Sequence, residues 1–200
     1  MARPRGFDRD AVLERAAAEF WEKGYEAASI QDLVTATGLQ RGSLYAAFGS
    51  KQGIFLAALE HYGERVVSQL LQVLGGADSP LDGVRACFDT LIDQMTASGP
   101  WRGCLLTNAA VERGLRDPAT RARVQRWLGR LEDGFRAALA QAQEAGELPA
   151  AADPAPLAQF LLTVFQGLLV VGRIDPRRER LEAVVATAVA ALAPARSGVD

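Results

Sequence analysis

Apolar residues recur at intervals of three and four along nearly the whole chain: Val12, Ala16 and Phe20; Ile54, Ala58, Tyr62 and Val66; Val84, Phe88, Leu91 and Met95; Val124, Leu128, Leu131 and Phe135. That spacing gathers each set on one face of an α-helix, and no segment shows the alternation with a period of two that marks a half-buried strand. The punctuation agrees. Ser79-Pro80, Asp117-Pro118, Asp153-Pro154 and Asp175-Pro176 each set a capping side chain before a proline that the first helical turn accepts, because its missing N–H would have had no partner there. Together these signals predict an all-α chain of about nine helices, the short ones crowded between Asp8 and Phe48 and the long ones after Lys51. Leu74 to Ser79 and Ala150 to Pro156 read as loops, and Ala195 to Asp200 as a frayed end.

With 200 residues, 49% hydrophobic and 23% charged, the composition is that of an ordinary folded chain. The longest apolar run, Phe160 to Val171, is interrupted by Thr163, Gln166 and Gly167 and is shorter than the ~20 residues a bilayer requires. No secretory signal is visible at the amino terminus. A cytoplasmic protein with no membrane partner is therefore expected, and Cys87 and Cys104, too few for a disulfide framework, suit a reducing compartment. His61 is the only histidine, which leaves no material for a His/Cys metal site or a catalytic histidine. Gly42 to Lys51 has the wrong spacing for a phosphate-binding loop, so no cofactor is expected. A net charge of −2 excludes a global basic field, and nucleic-acid binding must rest on a local one. Between Asp32 and Glu60 there is no acid, while Arg41 and Lys51 fall within that stretch and Arg3 and Arg5 open the chain.

Ser29 to Lys51 carries the most information. Ser29 with Asp32 three residues on forms a capping-box pattern, and Ile30, Leu33 and Val34 then supply one apolar face, so a helix of about nine residues begins there and stops at Gly38. A second helix, from Arg41 to Phe48, follows after a short turn, with Leu44 and Phe48 on its buried edge. Its other edge holds Arg41, Gly42, Ser43, Tyr45 and Ala46, small or hydrogen-bonding groups with one long cation and no acid. Small residues let a helix backbone approach base edges, hydroxyls reach phosphate oxygens, and an arginine can pair with guanine through two hydrogen bonds. Lys51 opens the next helix, where its charge and the free amides of the helix start can meet one phosphate.

From Phe7 to Leu59, and above all in FWEKGYEAASIQDLVTATGLQRGSLYAAFGSKQGIFLAAL, the chain resembles the amino-terminal domain of the TetR family of transcription regulators. The shared elements are Gly24 and Tyr25 at the end of the first helix, Ser29 opening the second, the turn glycine Gly38, the recognition helix Ser43 to Phe48, and Lys51. The resemblance implies DNA contacts from Ser29, Gln31, Arg41, Gly42, Ser43, Tyr45, Ala46 and Lys51. Ser29 serves equally well as a helix cap, and Gly42 as relief of crowding at the helix start. Arg3 and Arg5 are either a mobile arm or a DNA-touching one.

The same resemblance implies two domains, residues 1–55 for DNA binding and 56–200 for ligand binding and dimerisation, in a homodimer on double-stranded operator DNA. The expected function is a repressor, released by a small hydrophobic or electrophilic effector through a two-state coupling, with the helix that starts at Lys51 as the lever. Pro154 to Gly172 and Pro176 to Leu192, rich in Leu, Val, Ala and Gly, suit either a four-helix subunit interface or a buried core. Candidates for the effector pocket are Phe88, Ile92, Met95, Trp101, Cys104, Trp127, Phe135 and Phe165, each of which also reads as ordinary core. Cys104 falls at a helix start beside Arg102, and its Gly-Cys-Leu-Leu setting resembles a subgroup of the family whose cysteine reacts with electrophiles; a small buried hydrophobe is the alternative. The rival function is an effector-binding or thiol-reactive helical enzyme without DNA binding. Catalytic and metal-ligating residues are not expected.

Overall fold

A computed structural model describes residues 6–97 and 101–192. Arg3, Arg5 and the segment from Ala195 to Asp200 lie outside the described residues. The helices are α1 (Arg9–Ala27), α2 (Ile30–Thr37), α3 (Arg41–Phe48), α4 (Lys51–Gly75), α5 (Pro80–Thr96), α6 (Leu105–Arg113), α7 (Pro118–Glu144), α8 (Pro154–Val171) and α9 (Arg178–Ala190). The chain is all-α, with no strand among the described residues.

Caps account for most of the boundaries. The Asp8 carboxylate accepts from the N–H groups of Asp10 and Ala11, Ser79 Oγ from Asp82 N–H, and Asp153 from Ala155 N–H. Asp117 receives Ala119 N–H and opens α7 at the expected proline. Each cap satisfies amide groups that the first helical turn leaves without a partner, worth about 1 kcal/mol apiece. Three boundaries differ from the expectation. The loop expected from Leu74 begins only after Gly75, where α4 ends. The loop expected to reach Pro156 ends at Asp153, because Pro154 already stands in α8. Asp175 does not cap α9, which starts at Arg178 behind Arg177. Its carboxylate is engaged instead by the guanidinium groups of Arg177 at 2.7 Å and Arg180 at 2.6 Å.

The chain divides into two compact units: the described part of Met1–Val66 together with Cys104–Trp127, and Val67–Gly103 together with the described part of Leu128–Asp200. In the first, Val12, Ala16 and Phe20 of α1, Leu33 of α2, Leu44 of α3 and Ile54, Phe55 and Leu59 of α4 form one apolar core. Phe55 anchors it, its ring 5.0 Å from both Phe20 and Tyr25 in edge-to-face contact. The indole of Trp127 lies against Gly63, where a Cβ would fall 2.5 Å from Nε1.

In the second unit α5 packs on α9. The rings of Phe88, Phe135 and Phe165 meet with centroids 5.5 to 6.3 Å apart. α8 turns Ala158, Leu161, Phe165, Leu168 and Leu169 inward, yet Phe160, Val170 and Val171 on α8, Ile174 beyond it and Val184 on α9 remain exposed. Its 18 residues are long and apolar enough to cross a membrane by those measures alone.

Candidate nucleic-acid interface

The helix-turn-helix is built by local chemistry. Ser29 Oγ accepts from Asp32 N–H at 3.1 Å, while the Asp32 carboxylate accepts from Ser29 N–H at 2.8 Å and from the Ser29 hydroxyl at 2.7 Å. The capping box therefore forms with both halves present. Lys23 adds an ion pair to Asp32 at 2.8 Å, and its ammonium together with the Ser29 donors holds the Asp32 carboxyl well below the ordinary range. Gly38 closes α2 with φ at 72°, a left-handed conformation that a side chain would strain. Thr37, buried, donates to Leu33 O and accepts from Leu39 N–H, tying the turn to the helix before it.

α3 then runs from Arg41 to Phe48, and of the two residues expected on its buried edge only Leu44 is fully buried, while Phe48 is half-buried. Arg41, Gly42, Ser43 and Ala46 are exposed and Tyr45 is half-buried, its ring 5.6 Å from the Arg41 guanidinium. A Cβ at Gly42 would meet no other described residue within 4 Å beyond its own helix turn, so the helix surface there is open to close approach. Phe48 is covered by Arg9, whose guanidinium lies 4.7 Å above the ring. Gln31 is exposed on α2. Ser29 is exposed too, but its hydroxyl is already committed to Asp32.

Lys51, at the first position of α4, folds back in this state. Its ammonium stands 4.5 Å from the Tyr25 ring centroid and donates to the Glu26 carbonyl at 3.3 Å. Tyr25 and Glu26 are in turn held by α6. The Glu112 carboxylate accepts their two backbone N–H groups, each at 3.0 Å, and the Arg113 guanidinium covers the Tyr25 ring at 3.7 Å. The contacts of Glu112 and Arg113, and the second role of the cap residue Asp117, which accepts from Gln52 of α4 at 3.1 Å, were not visible in the sequence pattern. These contacts span more than sixty residues, and no local spacing announces them.

The candidate sensing residues fall into both units. Phe88, Phe135 and Phe165 form the aromatic cluster of the second unit, where Ile92 and Met95 are also buried and Trp101 is half-buried. Cys104 and Trp127 belong to the first unit. Cys104 is the N-cap residue of α6, 8% exposed, and its side chain forms no cap hydrogen bond. Burial first, and the neighbouring Cys104 second, raise the Tyr62 hydroxyl well above its ordinary value. Cys87 donates to Leu70 O, and burial pushes its thiol up to about 12, which leaves it inert at neutral pH. His61 Nδ1 lies 3.8 Å from the Asp10 carboxylate, and the described residues hold no cluster of metal-ligating side chains.

Residues 12–58 match the family model described as bacterial regulatory proteins, tetR family, and residues 80–192 the tetracyclin repressor-like C-terminal domain. The chain is 31% identical to the HTH-type transcriptional repressor ComR of Escherichia coli strain K12, across 92% of this chain and 89% of that protein. It is also 31% identical to the HTH-type transcriptional regulator YezE of Bacillus subtilis strain 168, across 91% and 94%. Among solved structures it is similar to a cysteine-substituted CifR, a TetR family transcriptional regulator in complex with a 26-bp double-strand operator DNA. The TM-score is 0.84 and the identity 38%, over 96% of this chain and 100% of that one.

Proposed function

This chain belongs to the TetR family of bacterial regulatory proteins, and we propose that it acts as a dimeric repressor that leaves its operator when a small hydrophobic or electrophilic effector binds. One observation carries the reading. α3 stands on buried Leu44 and presents Arg41, Gly42, Ser43 and Ala46 outward, with no acid on that edge. Such a surface fits a major groove: Gly42 and Ala46 allow close approach, Ser43 and the Tyr45 hydroxyl donate to phosphates, and Arg41 has the reach for a guanine. Lys51 exchanges Tyr25 and the Glu26 carbonyl for a phosphate, while Ser29 serves as the cap and Gln31 supports from α2. The structure of CifR with operator DNA supports the same use of the fold.

Residues 1–55 carry the DNA contacts and residues 56–200 the sensing and dimerisation. Phe160, Val184 and their neighbours on α8 and α9 meet a second copy, which accounts for the apolarity of α8 without a membrane. An apolar effector lodges against Phe88, Phe135 and Phe165 with Ile92 and Met95; an electrophilic one reaches Cys104, where alkylation would displace the Tyr62 hydroxyl from the start of α6. To release DNA, either must favour the DNA-incompetent state by about 1–3 kcal/mol. The protein works in the cytoplasm and catalyses no reaction.

A gel-shift titration tests this, using a duplex enriched from a random-sequence library by the unaltered protein, with excess scrambled duplex as competitor. The expected result is specific retention. Treatment with N-ethylmaleimide distinguishes the effector classes: loss of binding that a Cys104→Ser variant resists assigns the thiol as sensor, whereas retention assigns a reversible apolar effector. Failure to enrich or shift any duplex would return the rival reading, a helical enzyme without DNA binding.

A further inference from the structure

We propose that Glu112 and Arg113, at the C-terminal end of α6, are positioning residues for DNA binding: they clamp the Gly24–Glu26 junction, the seat on which Lys51 rests. The proposal rests on the reading of Lys51 as a phosphate ligand. Its structural basis lies wholly within the first unit.

α1 is broken at Gly24, whose φ of 78° and ψ of 170° turn the next two amide groups toward α6. There they find a single carboxylate, Glu112 Oε2 receiving Tyr25 N–H and Oε1 receiving Glu26 N–H, both at 3.0 Å. Two successive backbone donors converging on one anion form a strong, charge-assisted pair with little tolerance for displacement. Position 24 favours glycine, because a φ of 78° strains any side chain and a Cβ would stand 3.2 Å from both carboxylate oxygens, closer than an ordinary contact. Arg113 then grips the side chains of the same two residues. Its guanidinium lies over the Tyr25 ring at 3.7 Å and pairs with the Glu26 carboxylate at 2.8 Å, with its own side chain only 15% exposed. Lys51 takes what remains, the Tyr25 ring and the Glu26 carbonyl. Residues 25 and 26 are thus shared between the end of α6 and the start of α4. A small displacement of α6 would open both amide hydrogen bonds and alter the position from which Lys51 and the recognition helix behind it reach DNA.

The sign of the effect separates this role from simple electrostatics. Glu112 is an exposed acid on the DNA-binding unit, so removing its charge should strengthen DNA binding through the field alone. The clamp demands the opposite. Glu112→Gln, which keeps the shape but replaces one acceptor oxygen with a donor, is expected to weaken binding to the library-enriched duplex about tenfold and to lower the salt slope toward that of Lys51→Ala, because Lys51 loses its seat. The readout that a merely structural role would not move is coupling: Lys51→Ala should cost several-fold less affinity in the Glu112→Gln background than in the unaltered chain. Arg113→Lys, which keeps the charge but loses the planar stacking group, should also weaken specific binding and shift the slope in the same direction. Thermal melts confirm that each variant is folded at the assay temperature. Unchanged or tighter binding by Glu112→Gln, or full additivity with Lys51→Ala, would overturn the clamp. An unaltered affinity and slope in Lys51→Ala alone would instead overturn the reading on which it rests.

Discussion

Gly63 sits in the interior of α4, where a glycine is otherwise a poor choice, costing about 1 kcal/mol relative to alanine. Its place is explained by Trp127: a Cβ at Gly63 would lie 2.5, 2.6 and 2.7 Å from Nε1, Cδ1 and Cδ2 of the indole. Ordinary contacts to carbon fall at about 3.5–4.0 Å, so the overlap is roughly 1 Å against a rigid ring. Trp127 is 2% exposed and cannot simply swing away. Gly129, in the interior of α7, is a matched control, because a Cβ there meets nothing within 4 Å among the described residues. Gly129→Ala should stabilise by about 1 kcal/mol, the helix-propensity gain alone. Gly63→Ala makes the same gain and bears the overpacking as well, so it should fall below Gly129→Ala by about 1–3 kcal/mol. Urea unfolding followed by circular dichroism, at one fixed protein concentration, measures the difference as a shift of midpoint at constant m. Trp127→Phe should cost less in the Gly63→Ala background than alone, since the smaller ring relieves the overlap. Equal stability of the two alanine variants would refute the close-packing account of Gly63.

Other consequences are equally direct. Asp32 is held below the ordinary carboxylate range by Lys23 and the Ser29 donors, so its contribution is present above the unfolded value of about 4 and is lost as pH falls toward the lowered one. Asp32→Asn should therefore be less stable at pH 7, with the gap in urea midpoint narrowing by pH 3; a gap that stays constant would contradict this. Val184, 42% exposed on α9, lies on the face proposed to meet a second copy. Val184→Asp, which would bury an unpaired charge there at a cost of several kcal/mol, should sediment as a monomer at concentrations where the unaltered protein is dimeric. Gly42→Ala should raise thermal stability by up to about 1 kcal/mol through helix propensity yet weaken specific DNA binding in a gel-shift titration, since its surface is open in the free protein.

The elements written in local chemistry were legible in the sequence. The capping box at Ser29 and Asp32, the left-handed stop at Gly38 and the bounds of α3 all follow from residues within a few positions of one another. Where a side chain had a choice of partners, spacing could not arbitrate: Asp175 resembles a cap but is taken by Arg177 and Arg180. The periodicity of α5, α7 and α8 identifies apolar faces without naming what they meet; Phe88, Phe135 and Phe165 stand together among the pocket candidates, but the ring-to-ring packing among them is not written in the spacing. The candidate site was half visible. Arg41, Ser43, Tyr45 and Lys51 stand out by type and position, but the clamp of Glu112 and Arg113 on Tyr25 and Glu26 joins residues nearly ninety apart, and exposed acids and arginines on a helix carry no mark of their partners.

Whether a locally basic helix-turn-helix on a chain of net charge −2 binds DNA is decided by the salt dependence of affinity for the enriched duplex, measured for the unaltered protein and for Lys51→Ala. Log K should fall linearly with log salt, and the slope should drop by about 0.9 for each protomer's lost phosphate contact in Lys51→Ala. Affinity that does not respond to salt, or a slope unchanged by removal of Lys51, would contradict such binding.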